Sequence, residues 1–180
     1  DQTRINMTLD GVPLNEPEDQ GVYFSNYPDF TNSIKSMQIQ RGVGTSTNGV
    51  SSYAGSISFE SPTGLDKSSE AQIGYGSFNT YRVSAENSTG LMKNKMAFYT
   101  RYSTYASDGY KYNSGGKGQS FFLSGGYYGS KDFVKVTAFS GHSVNQMAWF
   151  AVAESDIEND PRTNYNTTRE KDDFTQSMVI

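Results

Sequence analysis

Three groupings in the sequence carry residue types that chemistry uses. Asp156, Glu158 and Asp160 take the first, third and fifth places of a calcium loop, whose carboxylates would wrap a hard cation. Pro161 then stands where such a loop turns on glycine, and Thr167 where it closes on glutamate. The run therefore reads as a solvated acidic loop, and no metal ligand is assigned. His142, the one imidazole of the chain, has Ser140 and Ser143 beside it. Neither a nucleophile elbow nor a positioned acid accompanies them, so no catalytic residue is assigned. Gly42-Val43-Gly44 and Gly115-Gly116-Lys117-Gly118 are glycine-rich without phosphate-loop spacing and read as turns. Asn87-Ser88-Thr89 and Asn166-Thr167-Thr168 match a glycosylation pattern that has meaning only in a eukaryotic secretory context. The chain reads as a non-enzyme without a cofactor.

Composition narrows the class further. The 180 residues carry 15 Lys and Arg against 19 Asp and Glu, a formal charge of -4, which argues against a nucleic-acid binder. With no Cys, a disulfide scaffold and a thiolate metal site are both excluded. Hydrophobic residues make up only 34%, yet there are 13 Tyr, 11 Phe and 18 Gly, an aromatic content that disorder does not show. Low mean hydropathy with many aromatics suits alternating strands that have one polar face. The longest apolar run, Met147 to Ala153, is far below the roughly 18 residues of a helical membrane span. The chain opens Asp1-Gln2-Thr3-Arg4 without a start Met or an apolar signal region, and so reads as an interior piece of something longer. Seven acids and three bases fall between Glu154 and Asp173, leaving twelve against twelve elsewhere, so one exposed loop holds the whole net charge.

The elements divide at Ser61-Pro62-Thr63-Gly64. Residues 1–62 hold scattered strands at Arg4 to Asp10, Ile34 to Arg41 and Ser56 to Glu60, joined by Gly- and Pro-containing connections. Residues 67–180 read as consecutive alternating strands at Glu70 to Phe78, Thr80 to Asn87, Lys95 to Tyr105, Gln119 to Tyr128 and Asp132 to Val144, with a sixth from about Phe174. Met96, Phe98, Val134, Val136 and Ala138 fall on apolar faces, with Arg82, Glu86, Arg101 and Lys135 opposite. The second and fourth connections are short, whereas the third is longer and the fifth, over 145–173, is longest. Strands of about 10 residues with short turns at one end and long loops at the other fit a bilayer-spanning barrel. An antiparallel sandwich, with the apolar face as its core, fits the alternation equally well.

The balance shifts on residues 5 to 60. Leu9-Asp10-Gly11-Val12-Pro13-Leu14-Asn15 resembles the "LDGVPLN" strand and turn in the plug domain of TonB-dependent outer-membrane receptors. Pro28-Asp29-Phe30, with Ile34 to Gly42, resembles that family's "P…I..IEV.RG" element, and Ser51 to Glu60 its closing "G..A.GG.INI" strand. Gln38 and Gln40 depart from the usual acidic residue, and Ser56 from the second glycine. Gly76 to Arg82, Ser107 to Tyr110, Gln146 to Trp149 and Arg162 to Asn166 are similar to barrel segments of the same receptors. The resemblance implies a mainly β chain: part of a transmembrane antiparallel barrel preceded by a partial mixed plug domain. Residues 1–62 would be the C-terminal part of the plug and 67–180 the first barrel strands. Six strands cannot close, since barrels start at about eight.

The implied function is that of a receptor fragment in the cell outer membrane of a Gram-negative bacterium. The whole receptor would bind a scarce nutrient, such as a ferric siderophore, at its extracellular face and import it by energy-coupled displacement of the plug. Partners would be a TonB-type energy-coupling protein reached through a missing N-terminal segment, outer-membrane lipid, a small nutrient ligand and a surface lipoprotein, with no nucleic acid. The alternative is a soluble β-sandwich adhesin or glycan-binding module. In the family a plug arginine before glycine, here Arg41, pairs with barrel glutamates, here Glu70 and Glu86. The connection after the "DGVPLN" strand rises to the extracellular side, which makes Gln20, Tyr23, Phe24 and Tyr27 candidate ligand contacts. Trp149 and Phe150 on the long loop join them, unless they belong to the aromatic girdle at the membrane interface.

Overall fold

The computed structural model describes residues 2–42, 54–168 and 170–180; Asp1, Val43, Gly44, the stretch 51–53 and Arg169, named above, lie outside them. The described chain is mainly β, with ten strands in two open sheets. The first sheet has the order β2-β1-β4-β3 and contains β1 (Ile5–Leu9), β2 (Val12–Pro13), β3 (Ser36–Arg41) and β4 (Gly55–Glu60). β1 and β2 are joined by Asp10 and Gly11, both at positive φ (50° and 84°), with Leu9 opposite Val12. That is the two-residue turn whose twist suits a hairpin, and Asp-Gly is a dipeptide that adopts it readily. β1 runs parallel to β4, so the chain between them must cross the sheet; residues 14–35 carry it from β2 at one edge to β3 at the other, through two short 3-10 turns. Asn15 holds the crossover to the hairpin. Its Oδ1 accepts the Met7 N–H at 2.7 Å, and its Nδ2 donates to the carbonyls of Ile5 and Gln20 at 3.0 and 2.7 Å.

The second sheet is a six-stranded antiparallel meander: β5 (Lys67–Gly76), β6 (Thr80–Thr89), β7 (Met96–Ser107), β8 (Gly116–Tyr128), β9 (Phe133–Gln146) and β10 (Lys171–Val179). Alternation sorts its side chains. Ala97, Tyr99, Arg101 and Ser103 of β7, Ser120, Phe122 and Ser124 of β8, and Thr137, Phe139 and Ser143 of β9 are buried on one face. Val83, Tyr102, Phe121, Val134 and Val136 are exposed on the other. The faces follow the expected alternation, with Lys135 and Arg82 on the covered side and Val134 and Val136 on the open one.

The first sheet and its crossover lie against the covered face. Phe30, 1% exposed, is the centre of the contact. Its ring meets Tyr27 and Phe59 of its own unit at 5.7 Å each, Phe139 of β9 at 5.6 Å and Phe122 of β8 at 6.5 Å. Phe59 and Phe139 stand edge-on to it, an arrangement that suits aromatic rings and adds to the burial of their area. Met7, Leu9, Leu14, Val22 and Tyr99 complete the cluster. One apolar core therefore belongs to both sheets.

Pairing runs beyond the apolar alternation at the loop-bearing end. β7 continues to Ser107, β8 starts at Gly116, β9 reaches Gln146 and β10 starts at Lys171. Gly116 and Gly118, expected in a turn, are strand residues; a Cβ at Gly118 would lie 2.7 Å from the Tyr105 ring. The fifth connection accordingly shortens to 147–170. It also contains a helix, α1 (Glu154–Asn159), whose first-turn acids Glu154 and Asp156 complement the positive helix start. Winding this run into a helix sends Asp156 and Glu158, two apart, to different faces.

Gly141 permits the close approach of the two units, because a Cβ there would lie 2.6 Å from Pro28 Cγ and 3.0 Å from Phe139. Gly141→Ala should force the Tyr27–Phe30 segment off the wall and cost about 1–3 kcal/mol. Gly74→Ala, whose Cβ meets nothing closer than 4.0 Å, should cost little. Thermal unfolding of the two variants, with amide exchange across residues 24–33, checks the contrast.

Candidate functional site

The functional geometry lies where the first sheet's crossover meets the inner wall. Asp29 follows Pro28 in the left-handed region (φ 57°) between the two 3-10 turns, which aims its carboxylate at the wall. Arg101 Nη1 approaches it at 2.7 Å and Arg82 Nη2 at 2.8 Å. Arg101 is supported in turn by Ser33 Oγ at 3.3 Å and Glu86 at 3.6 Å, and the Tyr99 hydroxyl donates to Glu86 at 2.9 Å. The side chains of Asp29 and Arg101 are 7% and 3% exposed, so this pair is out of water. Burial alone would raise the Asp29 pKa. Hydrogen bonds from Ser103 and Arg101, the Arg101 charge and Arg82 outweigh it and hold the carboxyl below the ordinary range. Arg82 Nε is buried without a hydrogen-bond partner among the described residues.

A second polar contact forms at the β1–β2 turn. Asp10 accepts from Lys135 Nζ at 3.1 Å, from Thr137 Oγ1 at 3.1 Å and from the Ser61 hydroxyl at 2.6 Å. Lys135 also reaches the Ser61 carbonyl at 3.2 Å. Burial raises the Asp10 pKa and the Ser61 and Lys135 contacts lower it, leaving the carboxyl below its ordinary value. In both contacts the plug-like unit supplies the carboxylate and the wall supplies the cation.

This reverses the expected pairing. Arg41 is exposed at the end of β3, and among the described residues no ion pair joins it to Glu70 or Glu86. Glu86 does face the interface, but its partners are Arg101 and Tyr99. Glu70, directly across from Glu86 in the β5–β6 register, accepts only from Gln72 Nε2 at 2.6 Å among the hydrogen bonds described. Arg82, Arg101 and Lys135 were legible as inward cations, and cations turned towards a covered face require acids. The acids were hidden in turns, Asp10 in Asp-Gly and Asp29 after Pro28, where polar residues are ordinarily read as turn formers.

The candidate ligand contacts separate into different environments. Tyr27 is buried in the shared core, 5.8 Å from Phe139, and offers no ligand surface. Tyr23 and Phe24 are partly exposed. The Tyr23 hydroxyl donates to Asp19, and Phe24 stands edge-on to Phe59 at 6.1 Å. Gln20 takes positive φ, and its Nε2 donates to the Pro17 carbonyl at 3.3 Å. Trp149 and Phe150 form a pair at 5.6 Å, with Trp149 73% exposed. Among the described residues no ring contact joins this pair to Tyr23 or Phe24.

Sequence reasoning missed what orders the loops. Arg162 lies between the rings of Phe78 (5.3 Å) and Tyr112 (4.7 Å), and its Nε donates to the Tyr110 carbonyl at 2.7 Å. Phe78 and Asn79, at φ 58° and 51°, form the β5–β6 turn, closed by Thr80 N–H on the Ser77 carbonyl at 3.2 Å. Asn164 Nδ2 donates to the Tyr112 carbonyl at 2.7 Å. Three connections at one end of the sheet are thus fastened to one another. The former calcium candidates serve this loop: Asp156 accepts the Tyr165 hydroxyl, and Asp160 Oδ1 the Arg162 N–H at 2.9 Å. His142 lies on the outer face against Thr175 at 2.9 Å, while Ser140 pairs with Ser177 at 3.0 Å and Ser143 is buried on the opposite face.

No family model and no curated protein matches the chain. Solved structures do. FpvA from P. aeruginosa, bound to iron and a heterologous pyoverdine, matches 97% of this chain and 24% of its own at 13% identity, with a TM-score of 0.71. The siderophore receptor PiuA from Acinetobacter baumannii matches 81% of this chain and 20% of its own at 14% identity and a TM-score of 0.63. The copper transporter OprC matches 81% of this chain and 24% of its own at 19% identity and a TM-score of 0.60. The chain has the fold of the TonB-dependent receptors. It spans about a quarter of the length of these structures or less.

Asp29→Ala should leave Arg82 without its carboxylate and the buried Arg101 with only the longer Glu86 contact, at a cost of about 3 kcal/mol, whereas Arg41→Ala should leave the interface intact. Amide exchange across residues 24–34 reads both. Because the Asp29 pKa is lowered on folding, its contribution is present above the ordinary carboxylate pKa of 3.8 and is lost as pH falls below it. Exchange in that segment should therefore stay flat from neutral pH to about 4, after correction for intrinsic rates, and rise only under stronger acid.

Proposed function

We propose that this chain supplies the later part of the plug, residues 1–62, and the first barrel strands, residues 67–180, of a TonB-dependent outer-membrane transporter. The observation that carries the reading is a six-stranded sheet with an exposed apolar outer face and an ion-paired, plug-covered inner face. In lipid, backbone polar groups must be paired internally, so the edges at β5 and β10 require further strands in the complete receptor. In a soluble sandwich the apolar row of Val83, Phe121, Val134 and Val136 would be a covered core, yet all four are exposed.

The ligand is a scarce metal nutrient of the ferric-siderophore class. The similar structures are named for ferripyoverdine, a siderophore and copper, and this supports the assignment of the class. The work is binding and transport, without covalent chemistry. A TonB-type coupling protein supplies the pull, and the ionic contacts of Asp29 and Asp10 hold the plug until it comes. Tyr23, Phe24, Trp149 and Phe150 are the aromatic surface open to a ligand, with Gln20 beside the first pair. A surface lipoprotein remains a candidate partner at the fastened loops.

Two measurements test this. Spin labels at Val136 and Lys135 of the intact receptor should differ: a lipid-soluble quencher should reach the first and not the second, and equal access would refute the membrane assignment. Calorimetry with ferric siderophores should show Trp149→Ala with Phe150→Ala losing about tenfold in affinity, on the scale of aromatic anchors. Tyr27→Ala should instead lower stability, and unchanged affinity in the loop variant would remove that pair from the site.

A further inference from the structure

Over β8 to β10 the outer face of the six-stranded sheet changes character along the strands. Val134, Val136 and Ala138 of β9 lie beside Tyr127, Gly125 and Leu123 of β8, an apolar stretch. Further along, His142 and Val144 lie beside Gln119 and Lys117, with Thr175 and Asp173 across on β10. The change falls at the row that contains Tyr102 and Phe121, exposed cross-strand partners. In a membrane-spanning sheet, a row of aromatics beside the apolar band marks the headgroup level.

Two adjoining grooves open just beyond that row, and Lys117 lines both. One, of about 390 Å³, is also lined by Lys171, Gln146, Val144, Ala106 and Asp108. The other, of about 230 Å³, is lined by Tyr81, Thr104, Gln119 and His142 beside Lys117. Among the described residues neither lysine has an ion-pair partner. Asp108, the acid of the larger groove, is engaged by Asn79 Nδ2 at 2.6 Å, and Asp173 faces His142 at 3.7 Å. The larger groove thus sets two ammonium groups, neither in an ion pair, beside the one carboxylate of Asp108, and hydroxyl and amide groups line the two grooves.

The geometry points to a binding site for the phosphate-bearing headgroup of a bilayer lipid, gripped by Lys117 and Lys171. A phosphate needs point cations and hydroxyl or amide donors, and both are present. The lipid source follows from placement: acyl chains would run down the Phe121, Leu123 and Val136 stretch that begins where the grooves end. The inference rests on the outer-membrane receptor reading.

The test reconstitutes the intact receptor in nanodiscs of phosphatidylcholine doped with phosphatidic acid. Lipids that survive detergent exchange are then counted by native mass spectrometry. Wild-type receptor should retain phosphatidic acid over phosphatidylcholine, and K117Q with K171Q should reduce that retention by about fivefold for each lysine lost. A K93Q variant, which changes a lysine in the opposite set of turns, should retain it fully. Equal retention by wild type and the double variant overturns the inference. Equal protection of both lysines from acetylation by inorganic phosphate in lipid-free detergent overturns the lipid source. A receptor that never enters the bilayer overturns the receptor reading as well, whereas an inserted receptor without lipid preference overturns this inference alone.

Discussion

A carboxylate out of water must be matched, and the Asp29–Arg101 contact is the constraint around which the two sheets are arranged. Arg101 comes from the middle of β7, where alternation turns it inward, and no aqueous solvent reaches it once the first sheet is seated. Asp29 can answer it only if the chain turns sharply after Pro28, which the left-handed backbone at residue 29 provides. That turn also sets Phe30 into the pocket formed by Phe59, Phe122 and Phe139. Ionic and aromatic contacts are therefore consequences of one local conformation. Gly141 is the complementary concession on the wall, leaving room for Pro28.

In the receptor reading the first sheet belongs to a part that must stay and yet be removable, and this arrangement suits it. An apolar interface of the same area would resist sliding, because every displaced side chain would meet water. Interfacial ion pairs behave differently: once water enters, both partners are solvated, and the loss is largely recovered. The wall facing the plug-like unit is rich in hydroxyl groups, with Ser84, Ser103, Ser120, Ser124, Thr137 and Ser143 all buried. Several bond to one another, as Ser103 does to Ser120 at 2.8 Å. Such a surface tolerates hydration, so the apolar grip is confined to the Phe30 cluster.

Much of the fold was legible in the chain. Period-two alternation assigned the faces of β6 to β9 residue by residue, because an apolar exterior and a polar interior leave little freedom of register. The Asp10-Gly11 turn entered only through the resemblance to the family's strand and turn, and the short β2 that pairs back on β1 was left in a connection. Strand ends were not legible, since beyond the apolar band both faces are polar and backbone pairing continues without a hydrophobic signature. Gly116, Gly118 and Lys171 were lost to loops for that reason. The ionic site was half legible: its cations stood on faces that the alternation had already turned inward, but its acids belonged to turns. Arg41 was misplaced because a resemblance in local motif does not carry the three-dimensional partner with it. The Arg162 stack was invisible because it joins three connections distant in sequence.

The same alternation accounts for both faces of the wall. In the receptor reading, a lysine or arginine facing hydrocarbon costs about 2–4 kcal/mol at mid-depth and little near the interface. Arg82, Arg101 and Lys135 accordingly point inward, where Asp29 and Asp10 meet them. Lys117 and Lys171 lie on the outer face past the Tyr102–Phe121 row, where the same reading sets headgroups in place of acyl chains. Charge sign inside is thus dictated by the plug, and charge position outside by depth. A substitution that moves one of these cations by a single residue would change its face, and neither the plug contact nor the lipid boundary would tolerate it.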